Sequence, residues 1–198
     1  MATRENRAST TSTRLASFAL EDGPVVPTLK PAQPSAPATE TLHVLTTMDE
    51  VRTATETVAA SGQRLISIMT PDLEPDIYDQ PPILDIIKRF VLSHSFAKVR
   101  VLMRDQARLT RGANRFIAMA HRLTSYLEIR VRAPQYHELM AAYCIADDRA
   151  IVYRLRADRA EGIAGFNNPP IARQYLQEFD AIWQASGGEA PELRVARR

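Results

Sequence analysis

The residues best suited to chemistry gather in "YHELMAAYCIADDR", residues 136–149. His137 stands in a loop ahead of a buried strand, and Asp147 and Asp148 form an acidic turn behind it. A histidine in that setting can attack phosphorus or shuttle a proton, because its ordinary pKa lies near neutrality. His121 is a second group of the same kind, and Glu161 is a carboxylate able to orient either ring. Cys144, between Tyr143 and Ile145 in the strand itself, reads as a buried thiol, since a nucleophile needs an electropositive, accessible setting.

Arginines make a second constellation. Arg104, Arg108, Arg111, Arg115 and Arg122 fall on or beside a helix expected over about residues 106–126. At about 100° per residue they share one side, away from the apolar stripe of Leu109, Ala113, Phe116, Ala120, Leu123 and Leu127. Such a row can hold phosphate groups of a nucleic acid or a lipid headgroup by bidentate hydrogen bonds. It can equally be a solvated face, or one neutralised by acids from a neighbouring helix. Of the 25 basic residues only Lys30, Lys88 and Lys98 are lysine. The loop "DLEPDIYD", residues 72–79, holds four carboxylates that could meet a divalent cation. The simpler reading has Asp79 capping the helix that Pro81 and Pro82 open, and no metal is expected.

Several chemistries are excluded. With seven glycines the chain has neither G-x-G-x-x-G nor G-x-x-x-x-G-K-[ST], and it also lacks C-x-x-C, H-E-x-x-H and G-x-S-x-G. No cofactor is expected. The single cysteine permits no intrachain disulfide and fits a cytoplasmic protein. No apolar run approaches the roughly 20 residues of a membrane span.

The elements that must position these groups run as follows. Residues 1–40, rich in Pro, Ser and Thr, read as a disordered tail, and residues 188–198 as a flexible basic one. Between them, residues 41–187 read as one α/β domain. Strands are expected at 42–45, 65–69, 99–103, 127–131, 142–146, 150–155 and 162–166. Helices are expected at 49–60, from 81, at 106–126 and at 170–185. The βαβαβαβ order of the front half predicts parallel strands joined by right-handed crossovers. The back half is a cluster of short strands closed by one helix, which makes a mixed, three-layer domain.

A loop histidine, a strand, an Asp-bearing turn, a second strand, a glutamate-led strand and a helix with Phe179 and Trp183 resemble one half of a phospholipase D-like domain. The matching segments are "HELMAAYCIADDRAIVYR" and "EGIAGFNNPPIARQYLQEFDAIWQAS". With "LEPDIYDQ", "VRVLMRD" and "HRLTSYLEIRV", residues 41–185 also resemble an uncharacterised proteobacterial domain family sometimes fused to GNAT-type acetyltransferases. The phospholipase D resemblance implies His-x-Lys-x4-Asp chemistry, in which the histidine attacks phosphorus and the lysine holds the phosphate oxygens. Counted from His137, the lysine and aspartate positions hold Leu139 and Cys144; counted back from Asp147, the histidine position holds Met140. What is expected is therefore a non-catalytic binding domain, its ligand a phosphate-bearing molecule or a protein partner, and by family analogy a homodimer. Two alternatives remain: a phosphodiesterase or phosphatase with an altered site around His137, Glu161 and arginines, and a nucleic-acid binder through the Arg104–Arg122 face.

Overall fold

A computed structural model describes residues 41–104 and 114–187. Seven strands form one sheet: β1 (His43–Leu45), β2 (Leu65–Thr70), β3 (Lys98–Met103), β4 (Leu127–Val131), β5 (Ala142–Ala146), β6 (Ala150–Arg154) and β7 (Gly162–Gly165). Five helices cover it: α1 (Met48–Ser61), α2 (Pro75–Tyr78), α3 (Pro81–Ser93), α4 (Arg115–Arg122) and α5 (Pro169–Ala185). The spatial order is β1-β7-β6-β5-β2-β3-β4. Strands β2, β3 and β4 are parallel, and every other pair is antiparallel.

Alternation along the strands divides the core into two layers. Ile66 and Ile68, Val99 and Val101, and Cys144 and Ala146 pack beneath α1 to α4. Met69, Leu102, Tyr143, Ile145 and Ile151 pack on α5 through Phe179, Ile182 and Trp183. This is the expected mixed sheet between helical layers. α1 begins with a capping box: Thr47 Oγ1 accepts from Glu50 N, and Glu50 Oε2 accepts from Thr47 N. Among the described residues, no helix is long and apolar enough to cross a membrane.

Three expectations are corrected. β1 does not neighbour β2; it pairs antiparallel with β7 at the far edge, and α1 passes beneath β5 and β6 to reach the centre. The helix expected over 106–126 does not run through residue 114, because Asn114 is extended and its side chain caps Ile117 N, so α4 starts at Arg115. Asp79 does not cap α3, whose N-cap is Gln80 without a side-chain bond; it accepts instead from the backbone N–H of Arg115, the first residue of α4. The acidic loop also contains α2, one short helix opened by Pro75.

Candidate functional site

After β4 the chain crosses to the other side of β2 to lay down β5, so the direction of winding changes at β2. Crevices at the carboxyl ends of strands open at such points. Here a cavity of about 450 Å³ lies beyond β2 and β3, walled by Met48, Asp72, Glu74, Arg104, Leu139 and Met140, among others.

The loop after β2 is held under strain. Leu73 has φ 60°, a left-handed conformation costly for a branched side chain, yet it is fully buried. Its neighbour Glu74 turns inward to Arg154 at the end of β6, making an ion pair in which both side chains are largely buried. Arg154 Nη1 also donates to the carbonyls of Ala157 (2.8 Å) and Arg159 (3.0 Å), and Thr70 Oγ1 donates to Glu74 Oε2 (3.2 Å). Burial outweighs the attraction of Arg154 and raises the Glu74 pKa. A further acid of the wall is matched in the same way: Asp158 takes two bonds from Arg156, at 2.9 and 2.6 Å.

A second set of arginines comes from β3 and β4. The register pairs Arg100 with Glu128 and Leu102 with Arg130, so alternate residues of both strands face α5. Arg100 lies 5.0 Å from the Phe179 ring centroid and 5.5 Å from that of Trp183, and Arg130 lies 4.1 Å from Trp183. Both are neutralised, Arg100 by Asp180 (2.7 Å) and Arg130 by Glu128 (2.7 Å). One residue beyond the paired ends Met103 and Val131 stand Arg104 and Arg132. Arg104 Nη1 reaches Met140 Sδ at 3.3 Å in the cavity wall. Arg132 is 2% exposed; its Nη1 donates to the Leu139 carbonyl at 3.0 Å, while its Nε has no partner. Arg132 was not among the residues singled out from the sequence, although the alternation in "LEIRVRAP" places it on the face of Arg130.

The groups expected to do chemistry are distributed. His137 follows a single 3-10 turn (Pro134–Tyr136), and its Nε2 lies 2.8 Å from the Arg132 carbonyl. A carbonyl only accepts, so this nitrogen carries the proton and has no lone pair for attack. Glu161 is exposed just ahead of β7, and neither it nor His137 lines the cavity. Asp147 lies at the opposite edge of the sheet, in the left-handed conformation (φ 53°), where its carboxylate accepts the backbone N–H groups of Gln63, Arg64 and Leu65. His121 is on α4, its Nδ1 buried. The arginine row is not held together on one helix: Arg104 follows β3, Arg115 is bonded to Asp79, and Arg122 lines a groove between α3 and α4. Arg108 and Arg111 lie outside the described residues. Burial pushes the Cys144 thiol up to about 12, which suits an inert core group.

With the offset counted back from Asp147, Met140 takes the histidine position and Ala142 the lysine position. Both sit at the crevice edge of the sheet. Lys88 is on α3, and Lys98 opens β3 at the other edge.

Solved structures share this architecture. Nuc, a phospholipase D family member from Salmonella typhimurium, is similar over 75% of this chain and 97% of its own, with 14% identity and a TM-score of 0.53. NucT from Helicobacter pylori is similar over 75% of this chain and 98% of its own, with 12% identity and a TM-score of 0.51. TrmBL2, an archaeal chromatin protein reported to show a novel mode of DNA binding, is similar at 13% identity and a TM-score of 0.54. That match covers 79% of this chain, which spans 57% of the length of TrmBL2. At these identities the likeness is one of fold, a phospholipase D-like mixed α/β sheet. No curated protein sequence matches. Residues 47–195 match the family described as Domain of unknown function (DUF7931), and the chain belongs to that family.

Proposed function

We propose that this chain is a degenerate phospholipase D-like half-domain that binds a ligand in the crevice and performs no phosphohistidine chemistry there. The observation that carries the reading is the pair Met140 and Ala142, two apolar residues where the offset from Asp147 calls for histidine and lysine. A thioether and a methyl group neither attack phosphorus nor hold its oxygens. Transition-state stabilisation by a preorganised cation would be lost with the lysine. His137 is not placed to replace the nucleophile: it does not line the cavity, and its Nε2 donates to the Arg132 carbonyl. Asp147, which in this register follows the missing pair, keeps a role that needs no chemistry: it closes the turn onto the start of β2.

The crevice itself persists at the carboxyl ends of the parallel strands. Its wall holds Arg104 beside Asp72, Glu74, Asp76 and Asp158, of which Glu74 and Asp158 are matched by other arginines. Arg104, without a carboxylate partner among the described residues, supports a phosphate-bearing ligand. The test is turnover of bis-p-nitrophenyl phosphate by the purified chain, with and without divalent cations. The expected result is release of p-nitrophenol at the rate of the buffer. Turnover that disappears in His137→Ala would establish the altered phosphodiesterase instead.

A further inference from the structure

Arg100 and Arg130 lie on the α5 side of β3 and β4, Arg104 and Arg132 follow the carboxyl ends of the same strands, and the two pairs differ in their surroundings. Arg100 and Arg130 each have a carboxylate at 2.7 Å and an aromatic ring beneath them. Arg104 and Arg132, at the carboxyl ends of the same strands, have no carboxylate within ion-pair distance among the described residues. Arg132 is the more telling of the two. Its guanidinium is buried, one nitrogen bonds a carbonyl, and Nε bonds nothing.

A buried guanidinium with a single neutral acceptor is far from satisfied: it has five N–H donors and a full charge. A second guanidinium beside it adds repulsion, and desolvation together with Arg104 draws the Arg132 pKa down to about 10. A fold gains nothing from such a pair on its own, because an apolar side chain of similar volume would fill the space without the charge. The pair becomes favourable when an anion joins it. Its position fits that role: Arg104 forms part of the cavity wall, and the buried Arg132, though not itself in the wall, is bonded to the carbonyl of Leu139, another wall residue.

We propose that Arg104 and Arg132 form an anion site at the carboxyl end of β3 and β4 that takes the phosphate group of a monoester. Two neighbouring positive charges are matched by a group carrying about −1.5 to −2 near pH 7, whereas a carboxylate matches one. The planar forks of two arginines also present paired donors to tetrahedral oxygens. Of the four acids in the wall, Glu74 is held by Arg154 and Asp158 by Arg156, and neither Asp72 nor Asp76 is paired with Arg104 or Arg132. This site rests on the binding reading given above and adds the ligand class to it. It uses none of the residues of the histidine–lysine chemistry.

Calorimetry on the full chain with inorganic phosphate, AMP and acetate tests the site, alongside flotation with phosphatidylcholine vesicles with and without phosphatidic acid. Phosphate and AMP should bind, and acetate at least tenfold more weakly. Arg104→Met and Arg132→Met should each weaken AMP binding at least tenfold. In phosphate-free buffer Arg132→Met should also unfold at a higher temperature than the native chain, the reverse of what a purely structural clamp on the Leu139 carbonyl predicts. Binding of vesicles with phosphatidic acid, without AMP binding, would assign the phosphate to a lipid headgroup, provided that both variants lose it. The proposal is overturned if none of these probes binds, if acetate binds as tightly as AMP, or if both variants bind as the native chain does. Should Arg132→Met fail to fold, Arg104→Met decides alone, because its side chain stands in the cavity wall. Turnover of bis-p-nitrophenyl phosphate would remove the non-catalytic reading and leave this site standing; absence of phosphate binding would do the opposite.

Discussion

The two edges of the sheet treat charge in opposite ways. At the edge where β5 turns into β6, Asp147 meets three backbone N–H groups, and its left-handed turn is closed by a further bond from its own N–H to the Leu65 carbonyl. Both carboxylates there have partners, Asp148 through Arg173, and the result is a joint between the parallel and antiparallel halves. At the carboxyl edge the chain holds a strained Leu73, a buried Glu74–Arg154 pair and the uncompensated Arg132. Strain and buried charge of this kind persist where the surrounding fold can hold them, and they gather at ligand sites. On the reading proposed above, one edge is construction and the other the place for a ligand.

Breaking the buried pair should have the largest effect. Arg154→Met leaves Glu74 buried without its cation and is expected to cost about 3–5 kcal/mol at neutral pH in urea unfolding. The pH dependence has a definite sign. Burial already holds the Glu74 pKa above its ordinary value, so the folded state binds that proton more tightly than the unfolded chain. The stability this contributes is present below the ordinary carboxyl range and is lost as pH rises through the raised folded value. The cost of Arg154→Met should therefore shrink at about pH 4, where Glu74 is protonated. A cost that does not change with pH would mean that Arg154 acts through packing alone.

Asp147→Ala comes next, with an expected loss of about 3 kcal/mol, because three amides lose a charged acceptor and alanine tolerates the left-handed turn poorly. Asp147→Asn should lose about half of that, since asparagine accepts the turn and keeps one oxygen acceptor. Equal losses would show that charge, not geometry, holds this edge. The smallest effect is expected at Arg115→Ala. Its ion pair with Asp79 is half-exposed at 3.4 Å, and the change should stay within about 1 kcal/mol. A larger loss would give the Asp79 contact to α4 a weight comparable with that of Asp147.

Much of this fold is legible in the sequence, for local reasons. β4 and β5 have the limits that alternation and apolar runs give them, and α3 begins at the double proline. The apolar stripe through Leu109, Ala113 and Phe116 suggests one long helix, yet the capping chemistry of Asn114 prevails over periodicity at that point. The pairing of β1 with β7 depends on contacts between the two ends of the domain, which no local pattern encodes. Of the candidate site, Asp147 and His137 stand out by residue type, but type does not reveal that one caps backbone and the other donates to a carbonyl. Arg132 could have been found. Arg130 and Arg132 share a strand face by alternation, and only the pairing of β3 with β4 adds Arg104 to it. A helical count of arginines groups Arg104 with the wrong neighbours.

On the reading proposed here, the crevice binds phosphate without turning it over. A phosphorus NMR titration of AMP and bis-p-nitrophenyl phosphate with the full chain reads both properties in one spectrum. The AMP resonance should shift or broaden with added protein, Arg104→Met and Arg132→Met should abolish the change, and no product resonance should grow from either compound. A product resonance that requires His137, or an AMP signal unaffected by the protein, would contradict that reading.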